Sequence, residues 1–473
     1  MMIDGEVPSS FRDPSGFVFW RDGALYRQVN AIYKEHYDHL MNSGLYESLV
    51  DGGLLIPHME LSAASGQPSV VQDTDDGQLT HLPAYKILKP EVIPFISYPY
   101  EWCFSQLKDA ALTLLAIQEK ALEFDMSLKD ASAYNIQFRN GKPVLIDTLS
   151  FERYCEGRPW VAYRQFCQHF LAPLALMSHT DIRLHQLLRI YIDGVPLDLA
   201  SQLLPARSRF SFSLLSHIHL HARSQKYFAD KTPDVHRHRL SRFSFAAFID
   251  GLQTAIHKLT WRPQGTVWAD YEQADSYSGE ALGHKLQLVS AFLDHLQPKT
   301  VWDLGANTGR FSRLASSRGA YTISCDSDPA AVEKNYLHGV REGDRHLLPL
   351  VIDLVNPSPN MGWENRERMS LLERGPADTV LALALIHHLT ISNNIPLPKL
   401  ADFLSKICSS LIIEFIPKSD PKVQKLLSTR EDIFLNYTPP AFERAFERHF
   451  TIGQPVRITN AERTLYLMRR RQG

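Results

Sequence analysis

The sequence predicts an α/β fold in its later part, joined through helices to a smaller α+β unit ahead of it, and three observations carry this. From Thr266 onward, five short apolar runs (TVWDLG, YTISCD, LPLVID, DTVLALAL and SSLIIEF) alternate with helix-length stretches. That alternation marks a parallel sheet with helices on both faces. In the first third, Asp22-Gly23 and Asn140-Gly141 each lie between two β-rich runs, the strongest short-range hairpin signal. Between these regions, residues 158–260 are aromatic and His-rich, with helical runs broken by Pro205, Pro233 and Pro263.

The elements follow in order. FVFWRDGALYRQV forms a hairpin, and the Ser-, Asp-, Gly- and Gln-rich stretch 62–80 reads as a loop. From Trp102 to Phe124, the residues Phe104, Leu107, Ala111, Leu114, Leu115 and Leu122 recur at helical spacing. A second hairpin, NIQFRNGKPVLID, turns at Asn140-Gly141. VAYRQFCQHFLAPLALM and SRFSFAAFIDGLQTAIHKL are the main helices of a connector. At 473 residues the chain is about three times the ~150 residues of a typical domain, and the division expected is 1–157, 158–264 and 265–473.

Composition narrows the function. Lys plus Arg is 50 against 52 for Asp plus Glu, a net charge of −2. Coating nucleic acid or an anionic membrane calls for a strong cationic field, so this balance argues against both partners. Five cysteines without CxxC spacing suit a reducing compartment, and no metal site is expected. The longest apolar runs, FLAPLALM and VLALALI, fall far short of the ~20 residues of a membrane span. The start MMIDGEVPSSFRDPSG carries acids and no apolar core of its own, unlike a secretion signal. A cytoplasmic enzyme is expected, and nothing in the sequence speaks to its oligomeric state.

The strongest motif begins at the first strand of the later part, VWDLGANTG over 301–309. A helix from Arg310 to Ser317 follows, with Phe311, Leu314 and Ala315 on one face and Gly319 as its stop. The second strand then ends in Asp326. Glycines let backbone approach a ligand where a β-carbon would collide, and an acid about twenty residues on is placed to grip a ribose diol. A dinucleotide G-x-G-x-x-G would put its last glycine at 310, where Arg310 stands.

The observed spacing, Asp303, Gly305, Asn307 and Gly309, resembles motif I of class I S-adenosylmethionine-dependent methyltransferases, whose usual form is acid-x-Gly-x-Gly-x-Gly. Asn307 stands at the middle glycine, and Asn tolerates positive φ better than most residues. The resemblance covers about 265–473 and implies a Rossmann-like, seven-stranded sheet closed by an antiparallel pair, here FTIGQPVRI and RTLYLMRR. It further implies S-adenosylmethionine as cofactor, held by Asp303, Gly305, Asn307 and Gly309, with Asp326 on the ribose and Asp353-Leu354 at the adenine. Asp328 is kept beside Asp326, although Asp328-Pro329 also reads as a helix start. LALALIHHL would lie beneath the methyl group, with His387 and His388 as candidate bases; Glu414 is a further candidate at the same edge. Tyr277 and Lys285 precede the motif where the family often covers the donor, or belong to a solvated helix.

A second constellation lies upstream. Asp130 and Asn135 stand in D-x-x-x-x-N spacing, and the hairpin that follows returns Asp147 toward them. Three oxygen ligands converging in this way suit a general base and Mg²⁺. The pattern resembles the catalytic loop of the protein-kinase-like fold, especially aminoglycoside-phosphotransferase-type kinases, which implies Mg-ATP at this site. It departs from that pattern in having no Gly-rich loop upstream, in Lys129 before the first acid and in Thr148 after the last. Lys86 is the candidate phosphate-pairing lysine. The alternative is a kinase-like relic that binds the acceptor or packs against the later part.

Three weaker signals remain in the chain. His217, His219 and His221 alternate like one face of a strand, where a metal is conceivable, though no acid or thiol completes the set. HRHRLSR and the tail RRRQG read as solvated charge runs. NPSP at 356–359 follows the third strand rather than the fourth and reads as a turn. The expected activity is methyl transfer to an O or N acceptor on a small molecule or saccharide. The whole-chain layout is similar to bacterial methyltransferases of the nodulation-protein type. A bifunctional or phosphoryl-transfer enzyme and a non-catalytic binding module stay open beside it.

Overall fold

The structure is a computed structural model that describes residues 4–61, 83–223, 241–263 and 279–471. The loop expected at 62–80, Pro233, Thr266, Tyr277 and most of HRHRLSR lie outside the described residues.

The N-terminal part opens with an antiparallel sheet of β1 (Gly5–Glu6), β2 (Gly16–Arg21), β3 (Ala24–Asn30), β4 (His58–Glu60) and β5 (Ala84–Pro90), in the order β1-β2-β3-β5-β4. Asp22 and Gly23 take φ of 51° and 72°, the paired left-handed residues whose twist matches the flanking strands. The amphipathic stretch at 102–124 is a helix over Phe104–Glu123, and it buries Leu107, Ala111, Leu114, Leu115 and Leu122. Beyond it, β6 (Met126–Leu128) pairs with β9 (Phe151–Arg153), and between them β7 (Ile136–Arg139) and β8 (Lys142–Leu145) form the second hairpin. Asn140 and Gly141 turn that hairpin at φ of 53° and 74°.

The connector is helical, as short pieces between Tyr163 and Leu220 and one long helix, Arg242–Lys258, packed on Phe104–Glu123. Within it His169 is 2% exposed. Burial, helped by the nearby Arg368 cation, pushes its pKa down to about 3. Below pH 6.5 the unfolded chain takes up a proton here that the folded chain refuses, so this residue makes the protein lose stability as pH falls. His169→Phe removes that loss while keeping a ring beside Tyr134, which lies edge to face 6.1 Å away. The stability of wild type relative to H169F should drop by about 1.4 kcal/mol per pH unit between pH 6.5 and 4. Urea unfolding at several pH values measures this, and parallel curves would refute it.

The C-terminal sheet comprises β10 (Thr300–Leu304), β11 (Tyr321–Asp326), β12 (Leu347–Val351), β13 (Ala377–Ala382), β14 (Cys408–Phe415), β15 (Phe450–Ile452), β16 (Val456–Arg457) and β17 (Thr464–Arg470). The order is β12-β11-β10-β13-β14-β17-β15, parallel through β14, with β17 antiparallel to its neighbours. The sheet has eight strands where seven are expected; the additional one is the two-residue β16, which pairs with β17. Strand order reverses between β10 and β13, and that switch opens a crevice at the carboxyl ends of the strands. Helices Gly279–Leu296, Arg310–Ser316, Pro329–Glu342 and Leu397–Ile407 flank it.

The expected helix between β12 and β13 is missing. That segment holds only a three-residue helical turn, Trp363–Asn365. Trp302 of β10, against which a β-carbon on Gly375 of this segment would lie at 3.2 Å, meets Phe95 of the N-terminal part edge to face at 5.6 Å. Gln106 Nε2 donates to the Pro349 carbonyl of β12 at 2.9 Å, and Tyr336 OH donates to Asp109 at 2.7 Å. One contiguous buried cluster accordingly runs from Leu40 through the connector to Met468. Among the described residues no helix is long and apolar enough to cross a membrane.

Candidate active site

The loop leaving β10 carries three left-handed residues, Gly305 (φ 75°), Asn307 (φ 51°) and Gly309 (φ 79°). A β-carbon at Gly305 would lie 3.1 Å from Leu385 Cδ1, and one at Gly309 would strike the Asn335 amide. Conformation favours glycine at both positions, and at Gly309 the lack of space adds to it. Gly305 N–H and Ala306 N–H both donate to the Cys325 carbonyl at 2.9 Å, tying the loop to the end of β11. Asn307 N–H donates to Asp326 Oδ2 at 2.7 Å, while its own side chain accepts from Thr308 N–H.

Asp303 is 2% exposed, and its carboxylate accepts from Ser312 Oγ at 2.6 Å. Burial pushes its pKa up to about 6, opposed by Ser312 and by Lys285. Its bond to Ser312 ties the end of β10 to the helix that follows the loop.

Asp326 ends β11 and also accepts from Asp328 N–H at 2.9 Å; burial raises its pKa. Asp328 caps the helix Pro329–Glu342 through Ala330 N–H, so the helix-start reading holds. Its other oxygen, Oδ2, is buried without a hydrogen-bond partner. Asp353 is exposed just beyond β12, and Leu354 joins Leu389, Leu400 and Phe403 in lining an apolar cavity of about 410 Å³. The loop glycines, the acid at the end of β11 and the orphaned acid oxygen beside it fit a nucleoside donor.

On the acceptor side, β13 runs into a segment where Ala384 is left-handed (φ 52°). His387 is 3% exposed with Nδ1 unpartnered, and its ring centroid lies 4.0 Å from that of His388. Burial, with the neighbouring His388, Arg463 and Lys285, pushes the His387 pKa down to about 2; burial also lowers that of the half-buried His388. Both rings are therefore neutral at pH 7, the form that accepts a proton.

Glu414 differs from expectation. It is fully buried, accepting from Lys285 Nζ at 2.7 Å and Ala384 N–H at 2.8 Å, with Arg463 Nη1 at 3.8 Å. A carboxylate held between two cations is no base for an acceptor. Lys285 is likewise neither a cover for the donor nor part of a solvated face, being 2% exposed. Arg463 escaped the sequence reading because nothing in RTLYLMRR marks its first residue as buried.

The N-terminal constellation does converge. Asn135 Nδ2 donates to Ser150 Oγ at 3.4 Å, and Ser150 Oγ donates to Asp147 Oδ2 at 2.6 Å. Asp130 is raised by burial and by the nearby Asp147, opposed by hydrogen bonds from Ser132, Asn135 and Gln165. The partner of Asp147 is Arg27 of β3, a residue the sequence reading passed over. Its signal was a lone cation midway along an apolar hairpin strand. Lys86 pairs with Glu60 at 2.7 Å. Lys129 reaches Ser15 Oγ at 2.6 Å and Asp13 at 3.4 Å. The residues as placed do not fit Mg²⁺: both Asp147 oxygens are engaged, one by the Arg27 guanidinium and Leu149 N–H and the other by Ser150.

The remaining candidates are structural. His217 and His219 lie on a helix over Leu215–Leu220, not on a strand. His219 bonds Ser201 and Ser208, His217 bonds Tyr163, and His221 stacks on Tyr163. In the NPSP segment, Asn356 and Pro357 accept from Arg189, and Ser358 bonds Glu101.

No family model matches the chain. Among curated proteins it is 35% identical over 478 residues to the nodulation protein NoeA of Rhizobium meliloti (strain 1021), covering 98% of this chain and 96% of that protein. Three solved structures are similar over part of its length. WbdD matches at 17% identity and a TM-score of 0.32, over 46% of this chain and 47% of that one. The N-methyltransferase NodS from Bradyrhizobium japonicum WM9 matches at 12% and 0.31, over 41% and 99%. Magnesium protoporphyrin IX methyltransferase from Synechocystis PCC 6803 matches at 17% and 0.31, over 40% and 84%.

Proposed function

The chain belongs to the family of the nodulation protein NoeA, and we propose that it is a methyltransferase that takes its methyl group from S-adenosylmethionine. The observation that carries this reading is the left-handed loop 305–309, joined by Asn307 N–H to the Asp326 carboxylate where β10 and β11 end. In this reading Asp326 accepts the ribose hydroxyls, the backbone of Gly305, Asn307 and Gly309 lies against the donor, and Asp353 and Leu354 flank the adenine. Asp328 offers its orphaned oxygen beside Asp326, and Asp303 ties the end of β10 to the helix that follows the loop.

When bound, the donor supplies a sulfonium-activated methyl group. The chain's own residues then align the acceptor and exclude water. His388 takes the proton from an acceptor hydroxyl or ammonium; His387, which burial makes a very weak base, packs against it. The acceptor proposed is an O or N group of a small molecule or saccharide. Near-neutral charge speaks against nucleic acid, and thiols without disulfides among the described residues suit the cytoplasm. The parts 1–157, 158–264 and 265–473 are proposed as kinase-like accessory unit, connector and methyltransferase unit. Phosphoryl transfer with Mg-ATP at Asp130, Asn135 and Asp147 is the competing reading. Arg27 on Asp147 favours a site neutralised from within, one that braces or binds.

Thermal unfolding with S-adenosylhomocysteine against Mg-ATP tests this. A ligand at one hundred times its Kd stabilises by about 2.7 kcal/mol, so S-adenosylhomocysteine should raise the melting temperature and Mg-ATP should not. His388→Ala should keep that shift yet lose methyl transfer from labelled donor to saccharide acceptors. A shift with Mg-ATP alone would replace this reading by the second.

A further inference from the structure

Four charged side chains are buried together next to the acceptor edge. Lys285 and Arg463 are 2% and 3% exposed, Glu414 is fully buried and Asp420 is 7% exposed. Lys285 Nζ meets Glu414 Oε2 at 2.7 Å, Arg463 Nη1 lies 3.8 Å from Glu414 Oε1, and Arg463 Nε donates to Asp420 Oδ2 at 2.7 Å. Burying such charges costs solvation that apolar residues of the same size would not, so a cluster of this kind is weak evidence for stability. Its geometry shows what else it does. The Glu414 oxygen that Lys285 holds also accepts from Ala384 N–H at 2.8 Å.

Ala384 carries a β-carbon in the left-handed region, where a non-glycine residue is strained. The next residue, Leu385, is the one that a β-carbon on Gly305 would meet at 3.1 Å. Three residues on from Ala384 begins the His387–His388 pair. One hydrogen bond thus lies at the root of the segment that touches the donor loop and carries both candidate bases.

We propose that Glu414 is a positioning residue whose carboxylate, fixed between Lys285 and Arg463, holds Ala384 left-handed and so seats Leu385 against the glycine loop and the histidine pair at the acceptor edge. The part that concerns the donor rests on the methyltransferase reading; the part that concerns the histidines does not. Glu414→Gln keeps the size and removes the charge that the two cations fix. Ala384→Gly makes the left-handed conformation free of strain. A role in stability alone gives no reason for glycine at 384 to correct a loss at 414.

The experiment measures S-adenosylhomocysteine binding by calorimetry and the imidazole resonances of His387 and His388 in selectively labelled full-length protein. In E414Q the Kd should rise about tenfold, a loss of about 1.4 kcal/mol, and both imidazole resonances should move. In the double variant E414Q with A384G, affinity should return to within about threefold of wild type and the resonances should move back. Wild-type resonances and affinity in E414Q, or a double variant as impaired as the single, would overturn the proposal. If wild type itself fails to bind S-adenosylhomocysteine, the methyltransferase reading falls and the resonances alone decide the positioning role. Should E414Q fail to fold, Ala384→Val leaves the ion cluster intact and places a branched side chain at the strained position. It should show the same two changes, and unchanged resonances in that variant would overturn the proposal as well.

Discussion

Asp326→Ala is expected to abolish binding of S-adenosylhomocysteine, with a Kd at least about a hundredfold above wild type. Two losses combine there. The carboxylate is the acceptor placed for a ribose diol, and hydrogen bonds to a charged group contribute about 1.5–3 kcal/mol each. It is also the anchor of the loop, since Asn307 N–H and Asp328 N–H both donate to it. Without it the left-handed turn at 305–309 loses the tie that offsets the strain at Asn307. Asp326→Asn keeps the shape and one acceptor oxygen, so it should lose only about tenfold. Calorimetry on both variants distinguishes the two contributions, and an Asp326→Ala protein within threefold of wild type would remove the main support for the donor site.

Glu101→Ala is expected to cost about 3–5 kcal/mol of stability, the largest effect away from the crevice. The side chains of Glu101 and Arg374 are each 1% exposed and join the N-terminal part to the segment between β12 and β13. Arg374 Nη1 also donates to the Ile96 carbonyl at 2.9 Å, and its guanidinium lies 4.8 Å from the Phe95 ring centroid. The carboxylate accepts from Tyr98 N–H at 2.9 Å and from Ser358 Oγ as well. Removing one partner leaves the other charge buried and unpaired, which is why the single variant suffers most. Replacing both by leucine should cost less than either single alanine variant. Urea unfolding followed by tryptophan fluorescence measures all three, and a single-variant loss below about 1 kcal/mol would show that water reaches the pair. Because the segment has no helix of its own, unfolding should be one transition across both parts.

By itself the sequence determined the features that rest on local chemistry. The hairpins at Asp22-Gly23 and Asn140-Gly141, the helix at 104–123 and the run of buried strands were legible because turn residues and apolar periods act over a few positions. The glycine loop and its acids at 326 and 353 were legible for the same reason: spacing along strand and turn places them at one edge. Only the tertiary structure decided what charged residues far apart in the chain do for one another. Glu414 looked like a base until Lys285, 129 positions away, took its charge; Asp147 looked like a metal ligand until Arg27 met it. The missing helix between β12 and β13 was equally hidden, because the surface that replaces it comes from another part of the chain. A side chain's type states which partner it can take. Which partner it has depends on folding that brings distant positions together, and on the desolvation that makes an unpaired buried charge too costly to leave.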